Sequence, residues 1–303
     1  MDVNGARPPV YPLGMRIASL LPAATEIVTA LGLRDTLAAV TFECAAPGVP
    51  VVVDTALPPG LPPAEIDAWV GERVAAGLPM YELDRAALAA ADPDLILTQD
   101  LCRVCALPAG TVADALDALG SDAEVVSVDP HTVDEVLAAI TDVARAAGDP
   151  AAGERLVGSL RERLAEVARA VADRPRPRTL VLEWTDPAYV PGHWVPELVR
   201  RAGAEPLAGI DGGRSVAVAW SALTALEPEV VVVAPCGFGL EAAVAQAAGV
   251  RDRFPDVPLV AIDSAAYVVM GGPNLVGGVE ALAWALHPDA LPKPPPGRVV
   301  RLG

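Results

Sequence analysis

Short apolar runs alternate with longer stretches rich in alanine and leucine from residue 16 onward. The apolar runs lie at residues 17–20, 37–40, 95–97, 125–128, 180–182, 230–233 and 259–262. These runs are almost continuously hydrophobic, which is typical of strands covered on both faces of a sheet. Strands of this kind separated by helices predict an α/β fold with parallel sheets.

The strand pattern also repeats along the chain. Residues 92–97 resemble residues 227–232, and residues 125–129 resemble residues 259–263 at nearly the same offset. This repetition favours two lobes of related topology. The alternative is that any two buried strands of an α/β fold share such a sequence.

A long amphipathic helix is predicted between the two lobes, over residues 151–173. Apolar side chains recur there every three or four residues, while Arg and Glu occupy the other faces. We therefore expect two Rossmann-like lobes with parallel sheets, joined by one long α-helix, with the ligand cleft between the lobes. The expected boundaries are a flexible tail at 1–15, an N-terminal α/β lobe at 16–148, the linking helix at 149–175 and a C-terminal α/β lobe at 176–303.

Composition and charge narrow the range of partners. The chain has a formal net charge of −17, which argues against nucleic acid and against an anionic membrane surface. No apolar stretch approaches the roughly 20 residues of a membrane span, so no membrane insertion is expected. The first residues contain an acid and no apolar core, so the sequence indicates no signal peptide or lipobox, and a cytoplasmic location is expected.

The cysteines carry the most distinctive chemistry of the sequence. Each of the four follows a predicted strand, and the carboxyl ends of parallel strands line the ligand crevice of open sheets. The pair at Cys102 and Cys105 has the C-x2-C spacing of two ligands to one metal. With Cys44 and Cys236, it is a candidate site for zinc or for an iron–sulfur cluster. Inert burial of the thiols and a redox role are the alternatives.

Candidate ligand-binding residues follow the same rule. Glu183 and Trp184 come directly after a predicted strand, and His193 and Trp194 follow in the next loop. A flat organic ligand suits such an apolar surface with polar edges, and a neutral imidazole can ligate a metal. We add Glu43, Phe238 and Tyr267 to this set. The alternatives are that the two tryptophans are core residues, that His193 caps a loop and that Glu43 is a solvated acid. The other histidines, His131 and His287, are expected at the surface.

Several segments together resemble a known family, the class III (cluster A) substrate-binding proteins of ABC importers, in its cobalamin-binding-protein-like branch. The resemblance extends from about residue 16 to residue 287, and the segments that carry it are residues 19–26, 42–44, 101–106, 182–184, 192–197 and 235–238. The Leu-Cys-x2-Cys-Ala and Gly-His-Trp-Val-Pro-Glu blocks are its most specific part.

The resemblance implies two Rossmann-like lobes that hold a small-molecule or metal-chelate ligand, such as a cobalamin-type corrinoid. Secreted members dock on an ABC permease through one acid on each lobe. Asp84 is the candidate on the first lobe, whereas the matching place on the second lobe, near Ser221, is uncharged, which weakens the expectation of a permease partner. The sequence thus favours a ligand-binding protein over an enzyme. The competing hypothesis is a cytoplasmic metal or iron–sulfur protein, with catalysis left open.

Overall fold

The computed structural model describes residues 14–44, 46–99, 109–119 and 121–302. The strands are β1 (Ile17–Ser19), β2 (Leu37–Thr41), β3 (Val51–Thr55), β4 (Tyr81–Leu83), β5 (Leu95–Thr98), β6 (Glu124–Ser127), β7 (Arg178–Leu182), β8 (Trp184–Thr185), β9 (Ala188–Val190), β10 (Glu205–Pro206), β11 (Val216–Ala217), β12 (Val230–Val233), β13 (Leu259–Ile262) and β14 (Val299–Leu302). All seven strands expected from the apolar runs are therefore present.

The helices are α1 (Pro22–Ala30), α2 (Pro63–Ala75), α3 (Arg85–Ala91), α4 (Ala109–Leu119), α5 (Val133–Ala146), α6 (Pro150–Val171), α7 (Val195–Arg201), α8 (Trp220–Thr224), α9 (Leu240–Val250), α10 (Ser264–Tyr267) and α11 (Asn274–Leu286). Short 3-10 helices lie at Arg34–Thr36 and Arg251–Arg253. Within the described residues, no helix is both long enough and apolar enough to cross a bilayer.

The chain divides into two compact units. Unit 1 contains residues 1–56, 80–129 and 139–157, and unit 2 contains residues 57–79, 130–138 and 158–303. Two segments that precede the long helix in sequence, 57–79 and 130–138, thus belong to the same unit as the C-terminal half. Helix α6 begins in unit 1 and continues into unit 2.

Each unit is built on its own mainly parallel sheet. The order in unit 1 is β4-β3-β2-β1-β5-β6, with only β4 antiparallel to its neighbour. The order in unit 2 is β10-β7-β12-β13-β14, with only β14 antiparallel. The expected α/β class with two parallel-sheet lobes is confirmed. The runs β1-β5-β6 and β7-β12-β13 have the same order, as the sequence repeat predicts.

Apolar side chains explain both sheets and the long helix. The cores are formed by strand residues such as Ile96 in unit 1 and Val231 in unit 2, each fully buried, with helix side chains packed against them. Helix α6 buries Leu160, Leu164, Val167 and Val171, as its periodicity predicts. A small antiparallel sheet, β11-β9-β8, completes unit 2 beside the carboxyl end of β7.

Candidate functional site

Two aromatic rings meet at the carboxyl ends of the parallel strands of unit 2. Trp184 comes two residues after the end of β7, and Phe238 follows the end of β12. Their ring centroids lie 5.6 Å apart with the planes tilted by 55°, and both side chains are half-buried. The arrangement is a favourable one for two aromatic rings. It leaves an accessible apolar surface at the sheet edge where α/β folds bind ligands.

Helix α2 forms one wall of this region. The Trp184 indole Nε1 lies 3.2 Å from the Pro63 carbonyl oxygen and 3.1 Å from that of Asp186. The hydroxyl of Tyr189 donates to Asp67 Oδ1 over 2.8 Å. Desolvation and the contact with Asp67 raise the pKa of Tyr189, so the phenol stays protonated as this hydrogen bond requires. The carbonyl oxygens of Pro63 and Asp186 accept from the indole N–H of Trp184 and so fix the orientation of its ring.

Glu183 is a buried carboxylic acid beside Trp184. Its side chain is only 7% exposed, and the Ser215 hydroxyl donates a hydrogen bond to its Oε2. Burial raises the pKa of Glu183 to about 7, and the Ser215 hydrogen bond offsets only part of that rise. The backbone carbonyl of Glu183 accepts from the N–H of Cys236 over 2.9 Å, which ties the ends of β7 and β12 together. Near neutral pH the Glu183 carboxyl is therefore partly protonated.

His193 has an unusual backbone conformation. It lies beside the loop that leads to Ser215, the hydrogen-bond partner of Glu183. Its φ is +49°, in the left-handed region. Its N–H donates to the Gly213 carbonyl over 2.7 Å, and its carbonyl accepts from the Gly212 N–H over 3.0 Å. The preceding residue must be glycine, because a Cβ on Gly192 would lie 2.5 Å from the backbone of Arg214. Burial, reinforced by the nearby His131 and Arg214, lowers the pKa of His193 and favours its neutral form.

The structure adds His131 to the residues around His193. The two ring centroids lie 6.3 Å apart, and His131 is exposed, as expected. The same expectation is wrong for His287, which is 8% exposed and has Nε2 3.1 Å from the Gly203 carbonyl oxygen. It follows α11, which is buried along most of its length, and the carbonyl satisfies its ring nitrogen.

Two other predicted ligand-binding residues make internal contacts. Trp194 is 4% exposed, and its indole N–H donates to the Val268 carbonyl over 2.8 Å. The alternative interpretation of Trp194, as a core residue, matches this packing. Tyr267 is half-buried, and the guanidinium carbon of Arg298 lies 4.9 Å from its ring centroid. Tyr267 follows the end of β13, so it does lie on the carboxyl side of the sheet.

In unit 1, Cys44 ends a chain of hydroxyl groups. Its Sγ lies 3.0 Å from Thr25 Oγ1, which lies 2.8 Å from Ser19 Oγ, and Ser19 in turn donates to the Leu21 carbonyl. With Ser19 committed as a donor to that carbonyl, Thr25 donates to Ser19 and can accept from the thiol. Desolvation raises the pKa of Cys44 above its usual value. This arrangement favours a protonated thiol.

Three further candidate residues are at the surface: Glu43 and Asp84 in unit 1 and Ser221 in unit 2. Glu43 is exposed, and partial desolvation raises the pKa of its carboxyl. Asp84 is also exposed, and its Oδ1 accepts from the Ala87 N–H to cap α3. Ser221, in unit 2, is exposed on α8.

The predicted four-cysteine site lies only partly within the described residues. Cys102 and Cys105 lie outside the described residues, and Cys236 is exposed at the end of β12. Within the described part of the chain, no three or more His, Cys, Asp or Glu side chains are grouped so as to hold a metal ion.

The fold and the strand-end site define a class of protein. A family model described as "Periplasmic binding protein" matches residues 17–256, and the chain belongs to this family. The resemblance to class III substrate-binding proteins of ABC importers is thereby confirmed. Among curated proteins, no match to the chain was found.

Solved structures of similar fold come from this class. A periplasmic heme-binding protein from Pseudomonas aeruginosa is 22% identical, with a TM-score of 0.69 over 96% of this chain and 99% of its own. The apo form of the periplasmic heme-binding protein RhuT from Roseiflexus sp. RS-1 is 21% identical, with a TM-score of 0.66 over 91% of this chain and 99% of its own. The periplasmic vitamin B12 binding protein BtuF of Vibrio cholerae is 20% identical, with a TM-score of 0.63 over 88% of this chain and 94% of its own.

Proposed function

We propose that this protein binds a metal-containing macrocycle of the cobalamin or heme class, with a cobalamin-type corrinoid as the first candidate. The observation that carries the proposal is the Trp184–Phe238 pair at the carboxyl ends of β7 and β12. Such macrocycles have a broad ring face and polar substituents around the rim. An aromatic surface flanked by a few fixed polar groups suits both features.

Family membership and the polar groups of the site support this proposal. Similar structures include proteins described as binding heme and one described as binding vitamin B12. In the same unit as the aromatic pair, Glu183 supplies a buried carboxyl and His193 an imidazole whose lowered pKa favours the neutral form. A neutral imidazole is a ligand for the metal at the centre of a macrocycle.

Truncation of either aromatic ring should weaken binding of the macrocycle. We expect Trp184→Ala and Phe238→Ala each to raise Kd by roughly 30-fold, because the large aromatic side chains of a binding surface contribute about 2 kcal/mol each. Isothermal titration with cyanocobalamin, cobinamide and hemin measures the effect and distinguishes the two ligand classes.

The matched control is Trp284→Ala, which removes a tryptophan of α11 that lies beneath the Lys293 ammonium. This variant should retain wild-type affinity. A wild-type protein that binds none of the three compounds at high micromolar concentration would refute the proposal. Equal losses in all three variants would refute the assigned site.

The four-cysteine metal site and the cytoplasmic location stay predictions. Cys44→Ser should abolish bound iron or zinc if the four thiols share one centre, and elemental analysis of protein purified without oxygen measures this. Unchanged metal content in that variant would show that Cys44 is not a metal ligand. That result would agree with the chain of hydroxyl groups that favours a protonated Cys44 thiol. Fractionation of the native cells tests the location.

A further inference from the structure

Two of the three histidines in the chain are brought together by one loop of unit 2. His131 precedes α5, and His193 precedes α7. The loop that contains Gly212 and Gly213 contacts both histidines. The Gly212 carbonyl accepts from the His131 ring, and backbone hydrogen bonds to Gly212 and Gly213 fix His193. Side chains more than 60 positions apart in sequence are thus held within one ring-to-ring distance of 6.3 Å.

Each of the two rings has at least one nitrogen without a hydrogen bond. His131 Nδ1 lies 2.9 Å from the Gly212 carbonyl oxygen, and a carbonyl can only accept, so the proton of the neutral ring is on Nδ1. The lone pair is then on Nε2. Among the described residues, His193 makes ring contacts with His131 and Trp194, and neither of its ring nitrogens has a hydrogen-bond partner. A histidine that donates one N–H to a backbone carbonyl and keeps the other nitrogen open has the usual orientation of a metal ligand.

We propose that His131 and His193 form a two-imidazole site for a divalent transition-metal ion, with the remaining coordination positions taken by water or by a bound ligand. Ligand nitrogens lie about 2 Å from zinc, so two imidazoles on one ion have ring centres roughly 5 to 6 Å apart. The observed 6.3 Å lies just beyond this range, so the proposal requires small side-chain rotations that bring both rings onto one ion. This site shares His193 with the proposed function, but no macrocycle is needed to form it.

One acidic and one basic side chain lie near the pair. The carboxylate of Glu135 accepts from the backbone N–H of His131 over 2.6 Å, which places a negative charge beside the backbone of this histidine. Arg214 lies close enough to His193 to lower its pKa, and its side chain is exposed. Imidazole is a ligand that suits zinc, nickel, copper and cobalt, so zinc is a suitable probe.

The test is an NMR titration that follows the ring nitrogens of all three histidines, in protein labelled with ¹⁵N only at histidine. Addition of zinc chloride at pH 7.5 should shift the ring nitrogen resonances of His131 and His193 and leave those of His287 in place. Zinc held by cysteine thiolates alone would move neither pair of resonances. A titration that shifts none of the three rings, or only one of them, would overturn the proposal.

Two variants separate ligation from folding. His131→Asn retains an amide N–H that can reach the Gly212 carbonyl but lacks the second nitrogen, and we expect it to raise the zinc Kd of this site by at least about tenfold. His287→Gln retains a donor toward the Gly203 carbonyl and should leave the Kd unchanged. An unchanged Kd in His131→Asn, with native circular dichroism, would also overturn the proposal. A macrocycle titration of His131→Asn separates this site from the proposed function.

Discussion

Replacement of Gly278 by alanine should destabilise the protein by about 3 kcal/mol or more. A Cβ at this position would lie 1.9 Å from the carbonyl oxygen of Tyr267, far inside van der Waals contact. The obstructing atom belongs to the backbone of α10, so no side-chain rotation relieves the overlap. Overpacking in a core typically costs 1–3 kcal/mol, and a forced backbone shift lies at the upper end of that range or beyond it.

Urea unfolding followed by circular dichroism measures this loss, and Gly158→Ala is the matched control. Gly158 is also inside a helix, α6, but a Cβ there meets no atom within 4 Å. Alanine has the higher helix propensity, so this variant should gain roughly 0.5–1 kcal/mol. If both variants had the same stability, the close packing of α10 on α11 would be incorrect.

Glu183→Gln should change how stability depends on pH. Burial raises the pKa of Glu183 from its ordinary 4.5 to about 7, so the folded state holds a proton that the unfolded state releases. Stability of the wild type therefore falls as pH rises from about 4.5 to 7 and levels off above that. This carboxyl accounts for a loss on the order of 2–3 kcal/mol across the window.

Glutamine stays neutral and can still accept from Ser215, so the variant should lack this decline and be the more stable protein at pH 8. The measurement is a series of urea unfolding curves between pH 4.5 and pH 8.5 for both proteins. Ser215→Ala serves as a comparison, because it removes the partner while keeping the ionisable group. Parallel pH profiles for wild type and Glu183→Gln would show that the pKa of this carboxyl is the same in the folded and unfolded states, which would contradict its burial-raised pKa.

The strong hydrophobic signals predicted the fold well. Every expected strand is present, and the long helix at 150–171 differs by no more than two residues from the amphipathic stretch at 151–173, although it ends four residues before the expected boundary at 175. Strand β3 was missed although its apolar run, residues 51–53, is as long as the predicted runs at 95–97 and 180–182. The strands β8, β9 and β11 were also not predicted. They are only two or three residues long, and β8 and β11 contain no buried residue.

The site was predictable where it depends on strand ends and not where it depends on distant partners. Trp184, Phe238 and Glu183 were expected at strand ends, and the structure places them there; their role in ligand binding stays a prediction. His131 follows β6 by only a few residues, so the same rule could have found it. Ser215 and Asp67 could not be found, because each is linked to its partner only by tertiary contacts.

The placement of helix α2 in unit 2 sets an order of events during synthesis. Its contacts with Trp184 and Tyr189 span 121 and 122 residues of sequence. At ribosomal rates of about 5–20 residues per second, α2 leaves the ribosome roughly 6 to 25 seconds before these partners exist. Unit 2 cannot complete its fold when α2 emerges, and a C-terminal fragment made without the first 79 residues would lack the helix that contacts Trp184 and Tyr189.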